Sequence, residues 1–183
     1  GSTEIMQLML AREAVDAHLS VAGDINDPEA DLRHKARAAA QAGKFYARWL
    51  PTLVTGKGQL PTSYPEFGAL AEHLRYVERA SRKLARSTFY AMSRWQGRLE
   101  YKQRFLGRIV DIGAELFAIT AACVRAQSDD VNDGAAELAD AFCRQARLRA
   151  DRLFEQLWDN TDDSDRSLAR DVLAGRYTWV ENG

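Results

Sequence analysis

The sequence is poor in cysteine, proline and histidine, with two, four and three of these residues among 183. It also lacks an apolar run that approaches the roughly 20 residues of a membrane-spanning helix. Glu4 precedes every basic residue, so the N-terminus does not show the pattern of a secretory signal. Two isolated cysteines do not form a disulfide framework. These absences predict a cytoplasmic protein whose thiols are reduced.

The chain also lacks a large excess of charge of either sign, because it has 25 basic and 26 acidic residues and a net charge of −1. A balanced chain has no overall field that attracts nucleic acid, so no nucleic-acid partner is expected. His18, His34 and His73 lack metal-ligand spacing and are predicted to be surface or capping residues. Cys123 and Cys143 are predicted to be buried free thiols, with a disulfide between them as the lesser alternative.

Helix formers dominate the sequence, and alternating β-branched runs do not occur. Asp27 followed by Pro28 indicates a helix start, and Gly175 indicates a helix end. Residues 51–65 contain three prolines and two glycines and are predicted to form the longest loop. Together these features predict an all-α antiparallel bundle of five to six helices. The predicted helices cover residues 4–21, 28–49, 66–95, 100–127, 135–158 and 167–174.

The fourth predicted helix is the most apolar one, and its apolar residues cover more than one stripe. A helix that is apolar on two sides is typical of the centre of a bundle. We therefore expect an aspartate at Ile112 or at Phe117 to unfold the protein, because either would bury an unpaired charge.

The third predicted helix carries Arg75, Arg79, Arg82 and Arg86, which lie three or four residues apart and share one face. One interpretation is a binding patch for an anionic partner such as a phosphate or a lipid head group. The other is a solvated face in which Glu78 pairs with Arg82 four residues later. The solvated face is the favoured interpretation.

Two segments resemble acyl-CoA dehydrogenases. Residues 1–16, "GSTEIMQLMLAREAVD", are similar to the segment that closes the catalytic domain of that family. Residues 105–127 are similar to a helix in the last domain of the very-long-chain subgroup. The matching residues are Gly1, Ser2, Glu4, Ile5, Ala11, Arg12 and Glu13 in the first segment, and Leu106, Arg108, Asp111, Leu116, Phe117 and Ala118 in the second.

The resemblance implies that residues 1–22 are the last helical segment of a catalytic domain and that residues 23–183 form an extra C-terminal helical domain. In that family FAD accepts hydride from an acyl-CoA thioester, and a glutamate removes the α-proton. The glutamate would immediately precede Gly1, so this chain carries no catalytic residue and is expected to be inactive alone. Gly1 would border the acyl-CoA substrate, and Ser2, Thr3 and Glu4 would contact the adenylate part of FAD.

The implied partners are the rest of the dehydrogenase polypeptide, a second copy in a homodimer, and an electron-transfer flavoprotein. The resemblance also leaves open a peripheral contact with a membrane. Residues 2–4 also fit a plain helix-capping motif, and Gly1-Ser2 is the pair that cleavage of an expression tag leaves. An alternative hypothesis is a stand-alone helical adaptor without enzymatic activity, which would dock through the arginines of the third predicted helix.

Overall fold

The structure is a computed structural model that describes Met6, Met9 and residues 31–128 and 134–180. Most of the first predicted helix and the predicted start at Asp27 lie outside these residues. Within them the chain is helical and contains no strand, which confirms the all-α fold class. The α-helices are α1 (Leu32–Trp49), α2 (Ala71–Trp95), α3 (Gln103–Ala126), α4 (Ala135–Gln156) and α5 (Asp162–Leu173).

Short 3₁₀ helices correct two of the predicted starts. α2 begins at Ala71 and not at residue 66, because Pro65–Leu70 form a 3₁₀ segment that is broken at Gly68, where φ is 51°. α3 begins at Gln103 and not at residue 100, because Gln96–Tyr101 form another 3₁₀ segment. α2 ends at Trp95, as predicted, and Gln96 after it has a positive φ of 47°.

The last α-helix is longer than the sequence indicated, because α5 begins at Asp162 and not at residue 167. Asp162, Asp163 and Asp165, which the predicted bounds placed outside this helix, lie in its first turn. Carboxylates are favourable there because they face the positive end of the helix dipole. The predicted stop at Gly175 is confirmed, since Gly175 has φ of 77° and the Arg176 N–H donates to the Asp171 carbonyl at 3.0 Å. This is the Schellman pattern of helix termination.

The centre of the fold is an antiparallel bundle of α2, α3 and α4, in which α3 and α4 share the most extensive contact. Trp95 at the end of α2 meets Phe105 at the start of α3, and Cys123 at the end of α3 meets Cys143 near the start of α4. Small residues such as Ala146 and Ala150, both fully buried, let α4 approach closely. Two clusters fill the bundle: Ala80, Ala91, Leu99, Phe105, Leu106, Ile109, Ile112, Leu116, Phe154 and Leu157 in one, and Leu70, Leu74, Ile119, Cys123, Ala139, Cys143 and Ala146 in the other.

Only one of the two apolar sides of α3 is in the core. Ile112 is 0% exposed, as predicted, but Phe117 is 75% exposed, so the prediction that Phe117 is buried was wrong. The period of 3.6 residues per turn explains the difference, because Phe117 lies 500° of helical rotation after Ile112 and so faces away from it. The sequence showed that Phe117 belongs to an apolar stripe. It did not show that the described helices leave this stripe uncovered.

Aspartate at Ile112 and at Phe117 should therefore have different effects in this chain. Ile112→Asp places an unpaired charge in the core and should cost several kcal/mol, abolishing the cooperative thermal transition. Phe117→Asp should change the stability by no more than about 0.5 kcal/mol, as exposed substitutions usually do. Thermal melts followed by circular dichroism would check both. Equal melting temperatures for Ile112→Asp and the parent would contradict the central position of α3.

Charge pairs hold α5 against the start of α3. Arg108 binds Asp162 through two hydrogen bonds of 2.6 and 2.8 Å between its two terminal nitrogens and the two carboxylate oxygens. Both side chains are mostly shielded from solvent. Hydrogen bonding from Arg108 lowers the pKa of Asp162, because the guanidinium stabilises the ionised carboxylate. Lys102 binds Asp163 at 2.6 Å, but that carboxylate is largely exposed.

Removal of the Asp162 charge should destabilise the protein at neutral pH only. Asp162→Asn is expected to lose about 1–2 kcal/mol of unfolding free energy at pH 7. A lowered folded-state pKa contributes stability above the unfolded value, near pH 4, and that contribution disappears as the pH falls through the folded-state pKa. Urea titrations at pH 7 and pH 3 should show the difference between variant and parent shrinking at acid pH. Asp163→Asn, the matched control, should have little effect at either pH.

Candidate functional site

The residues predicted to bind substrate and cofactor are Gly1, Ser2, Thr3 and Glu4, and they lie outside the described residues. The structure therefore does not test their assigned contacts, and they remain predictions. What it does describe is the helical bundle, its surface clefts and three groups of polar side chains. Within the described residues, no group of three or more His, Cys, Asp or Glu side chains is placed to hold a metal ion.

The arginines of α2 hold the long loop of residues 50–64 against the bundle. Arg75 donates to the Ser63 carbonyl at 3.0 Å, Arg79 to the Gly58 carbonyl at 2.7 Å, and Arg82 to the Thr52 carbonyl at 2.9 Å. The expected pair between Arg82 and Glu78 is confirmed at 2.6 Å. Neither interpretation of the basic face was complete, because three of its four arginines bind carbonyl groups of the protein's own loop.

Glu78 is the carboxylate at the centre of this arrangement. It accepts hydrogen bonds from the Tyr64 hydroxyl at 2.7 Å, from Arg82 and from the Gly58 backbone. The bond from Tyr64 is the largest cause of the lowered pKa of Glu78. An ionised carboxylate therefore fixes a loop that contains three prolines and two glycines between residues 51 and 65. The sequence signal for this contact was the arginine spacing, but only the fold placed carbonyl groups in front of the arginines.

Two glycines allow the loop to approach α2 this closely. A Cβ added at Gly58 would lie 2.5 Å from the Cβ of Glu78 and 2.8 Å from the carbonyl oxygen of Arg75. A Cβ added at Gly56 would lie 1.6 Å from a terminal nitrogen of Arg82. The Gly58 contact is the more restrictive one, because it involves backbone, whereas the end of an arginine side chain can move.

A second polar group joins α2 to α4 around His73, which is 2% exposed. The His73 ring lies between Asp140, with Nε2 to Oδ1 at 2.8 Å, and Arg147, with Nδ1 to Nη1 at 3.3 Å. A guanidinium can only donate, so Nδ1 is assigned as the acceptor and Nε2–H as the donor to Asp140. The prediction of a surface or capping histidine was wrong for His73, because the fold buries it between two charged partners that satisfy both ring nitrogens.

The cysteines are buried free thiols, as predicted. Their Sγ atoms lie 3.8 Å apart, well beyond the about 2.05 Å of a disulfide bond. Burial raises the pKa of the Cys143 thiol to about 12, so the thiolate is disfavoured near neutral pH. The pKa of the Cys123 thiol is also raised, mainly by burial. Neither thiol has the low pKa or the exposure of a nucleophile.

Aromatic residues near the ends of α2 and α4 and at the start of α3 pack against one another. Ring centroids are 4.9 Å apart for Trp95 and Phe105, 5.3 Å for Phe105 and Trp158, and 5.2 Å for Tyr90 and Trp158. An open cleft of about 650 Å³ borders this cluster. Another cleft, of about 620 Å³, lies between α2 and α3 and is lined by Val77, Ala85, Thr120 and Val124 among others.

Four carboxylates of the bundle are not suited to abstract a carbon-bound proton. Such a base needs a desolvated carboxyl group whose pKa is raised towards neutrality. The pKa values of Glu72, Glu78, Asp140 and Asp162 are all lowered, chiefly by hydrogen bonds from Arg147, Tyr64, His73 and Arg108, respectively. These groups are stable anions that hold helices and loops together. The chemistry of these four carboxylates is therefore structural.

The loop contact gives a direct test with a matched control. Gly58→Ala should displace residues 57–59 or the adjoining turn of α2 and destabilise the protein by about 1–3 kcal/mol, as overpacking typically does. Gly113→Ala is the control, because a Cβ there would meet no atom within 4 Å and should add up to about 1 kcal/mol through helix propensity. Urea unfolding would check that Gly58→Ala lowers the free energy of unfolding and that Gly113→Ala raises it. A stabilised Gly58→Ala protein would contradict the packing of this loop.

The comparisons with known proteins indicate the family to which the chain belongs. Residues 42–172 match the family described as "Acyl-CoA dehydrogenase, C-terminal, bacterial type". The chain is 67% identical to the probable acyl-CoA dehydrogenase FadE10 of Mycobacterium bovis and equally to that of Mycobacterium tuberculosis, over 188 aligned positions in each case. The alignment covers 100% of this chain but 29% of each relative. No solved structure matches the chain.

The family match extends from within α1 to within α5 and so includes the whole central bundle. No helix in the described ranges has the length and hydropathy needed to cross a membrane. The chain spans less than a third of the length of the curated relatives that it matches. The chain belongs to the family of C-terminal, bacterial-type acyl-CoA dehydrogenase domains.

Proposed function

We propose that this chain is the C-terminal helical portion of a larger FAD-dependent acyl-CoA dehydrogenase of the fatty-acid β-oxidation type. The observation that carries the proposal is the family match over residues 42–172, together with 67% identity to relatives named as probable acyl-CoA dehydrogenases. The role of residues 23–183 is to cover and support the catalytic part and to favour a homodimer. Residues 1–22 are the end of the catalytic domain.

The catalytic contacts of this proposal lie at the start of the chain. The proton-abstracting carboxylate immediately precedes Gly1, the Gly1 backbone borders the acyl-CoA, and Ser2, Thr3 and Glu4 contact the adenylate part of FAD. FAD supplies the acceptor for the hydride that leaves the acyl chain. The lowered pKa values of Glu72, Glu78, Asp140 and Asp162 support this arrangement, because a base for this step needs a raised pKa.

The longer polypeptide that contains this chain is proposed to be a cytoplasmic flavoenzyme. Its substrate is an acyl-CoA thioester, and an electron-transfer flavoprotein reoxidises the flavin. The alternative of a stand-alone adaptor loses part of its docking surface. Arg75, Arg79 and Arg82, which were expected to present that surface, donate to carbonyl groups of the loop.

Purification of this chain and of the longer polypeptide that contains it would test the proposed function. The longer polypeptide should be yellow, and an acyl-CoA should bleach its flavin absorbance as the flavin is reduced. The 183-residue chain alone should be colourless and inactive. Replacement of the carboxylate that precedes Gly1 by its amide should slow flavin reduction by about 10²–10⁴-fold, the usual contribution of a general base, while flavin stays bound.

Two results would contradict the proposal. The first is a longer polypeptide that binds no flavin under conditions in which it is folded. The second is reduction of flavin by acyl-CoA at the parent rate after the amide replacement. Either would favour a non-catalytic role for the whole polypeptide.

A further inference from the structure

An open cleft of about 650 Å³ lies between the end of α2, the start of α3 and the segment that joins α4 to α5. Tyr90 is 52% exposed and Trp158 is 43% exposed, and both line this cleft together with Trp95. The ring centroids of Tyr90 and Trp158 are 5.2 Å apart at an interplanar angle of 72°. Large aromatic side chains that stay half exposed in a concavity offer a face on which a planar ring can stack. We call this feature the aromatic cleft.

The α2 wall of the aromatic cleft carries positive charge. Arg86, Tyr90 and Arg94 lie four residues apart, so they follow one face of the helix, and all three line the cleft. Arg94 donates from Nη1 to the Tyr90 hydroxyl oxygen at 3.2 Å, which holds the guanidinium beside the phenol ring. Because that hydroxyl is neutral, no carboxylate of the described residues neutralises the charge of Arg94.

The wall formed by the start of α5 carries carboxylates, but each has a cation of its own. Asp162 binds Arg108 at 2.6 Å, and Asp163 binds Lys102 at 2.6 Å. These pairs leave little negative charge to oppose an anion in the cleft. An anionic ligand would therefore place its charge against Arg94 on the opposite wall.

Hydroxyl groups also line the aromatic cleft, from Ser87 on α2 and from Thr161 and Ser164 near the start of α5. Thr161 donates to the Asp165 carboxylate at 3.1 Å, and Ser164 donates to the Thr161 carbonyl at 2.8 Å. The oxygen atoms of both hydroxyls keep lone pairs that can accept further hydrogen bonds. They suit a ligand that itself carries hydroxyl groups.

These three kinds of side chain match the three parts of a nucleotide. A base stacks on aromatic rings, a sugar donates through its hydroxyls, and a phosphate accepts charge-assisted hydrogen bonds from arginine. A volume of about 650 Å³ is also within the range of small-molecule sites. We propose that the aromatic cleft binds a free nucleotide, with its base against Tyr90 and Trp158 and its phosphate against Arg94. This binding goes beyond the proposed function and does not depend on it, because every residue named lies in the bundle.

Photo-crosslinking of the longer polypeptide with 8-azido-ADP tests the inference, because the reactive group sits on the base. The labelled peptides should contain Tyr90 or Trp158, and ADP should compete for the label. Adenosine and pyrophosphate each supply only part of the contacts, so each should compete at least about ten-fold more weakly than ADP. Mass spectrometry of the digested protein identifies the labelled residues.

Four results would overturn the inference. Absence of label from the peptides that contain Tyr90 and Trp158 would show that no nucleotide binds there. Competition by pyrophosphate equal to that by ADP would indicate a site for anions alone, and equal competition by adenosine would indicate a stacking surface alone. Stronger competition by coenzyme A than by ADP would assign the cleft to the nucleotide part of the substrate.

Two pairs of variants test the named contacts. Arg94→Gln should weaken competition by ADP about ten-fold, as loss of a hydrogen bond from a charged group does, whereas Arg98→Gln should leave it unchanged. Both arginines are exposed, but Arg98 lies outside the cleft. Tyr90→Leu should likewise weaken binding, and Tyr101→Leu is its control, since Tyr101 is 60% exposed and does not line the cleft. Thermal melts check that all four variants are folded, and equal affinities within either pair would contradict the proposed contacts.

Discussion

The burial of one side of α3 is the constraint on which the described structure depends. Ile112 and Ile119 are fully enclosed, and α2 and α4 pack on them from two directions. Fully burying an isoleucine contributes about 1.5–3 kcal/mol. This is a large share of the 5–15 kcal/mol by which domains are typically stable. The 3₁₀ segments, the loop of residues 50–64 and α5 are all attached to the bundle that this stripe holds together.

Polar side chains complete the structure by fixing what the apolar core leaves free. Arg75, Arg79 and Arg82 bind loop carbonyls, His73 joins α2 to α4, and Arg108 holds α5. Each group is satisfied by partners within the chain, and the carboxylates involved have lowered pKa values. A carboxylate that removes a carbon-bound proton needs a pKa that is raised towards neutrality instead. The chemistry of the bundle is therefore consistent with a supporting role in a larger enzyme.

The side of α3 opposite Ile112 and Ile119 carries exposed apolar residues. Phe117 and Val124 are 75% and 52% exposed, yet they occupy the same helix as the most deeply buried residues. A helix with apolar residues on both sides is stable as part of a layered assembly, in which a second layer covers the second side.

The sequence by itself determined the helical class, most of the helix bounds, the buried thiols and the helix end at Gly175, because each follows from a local pattern of apolar spacing or backbone conformation. The two motifs were also enough to indicate the family. Only the tertiary structure decided which side of α3 is covered and that His73 is buried. It also decided that three arginines bind the protein's own loop and that α5 begins at Asp162. These outcomes depend on which groups lie opposite one another after folding, and residues far apart in the chain, such as His73 and Asp140 or Arg108 and Asp162, supply those groups.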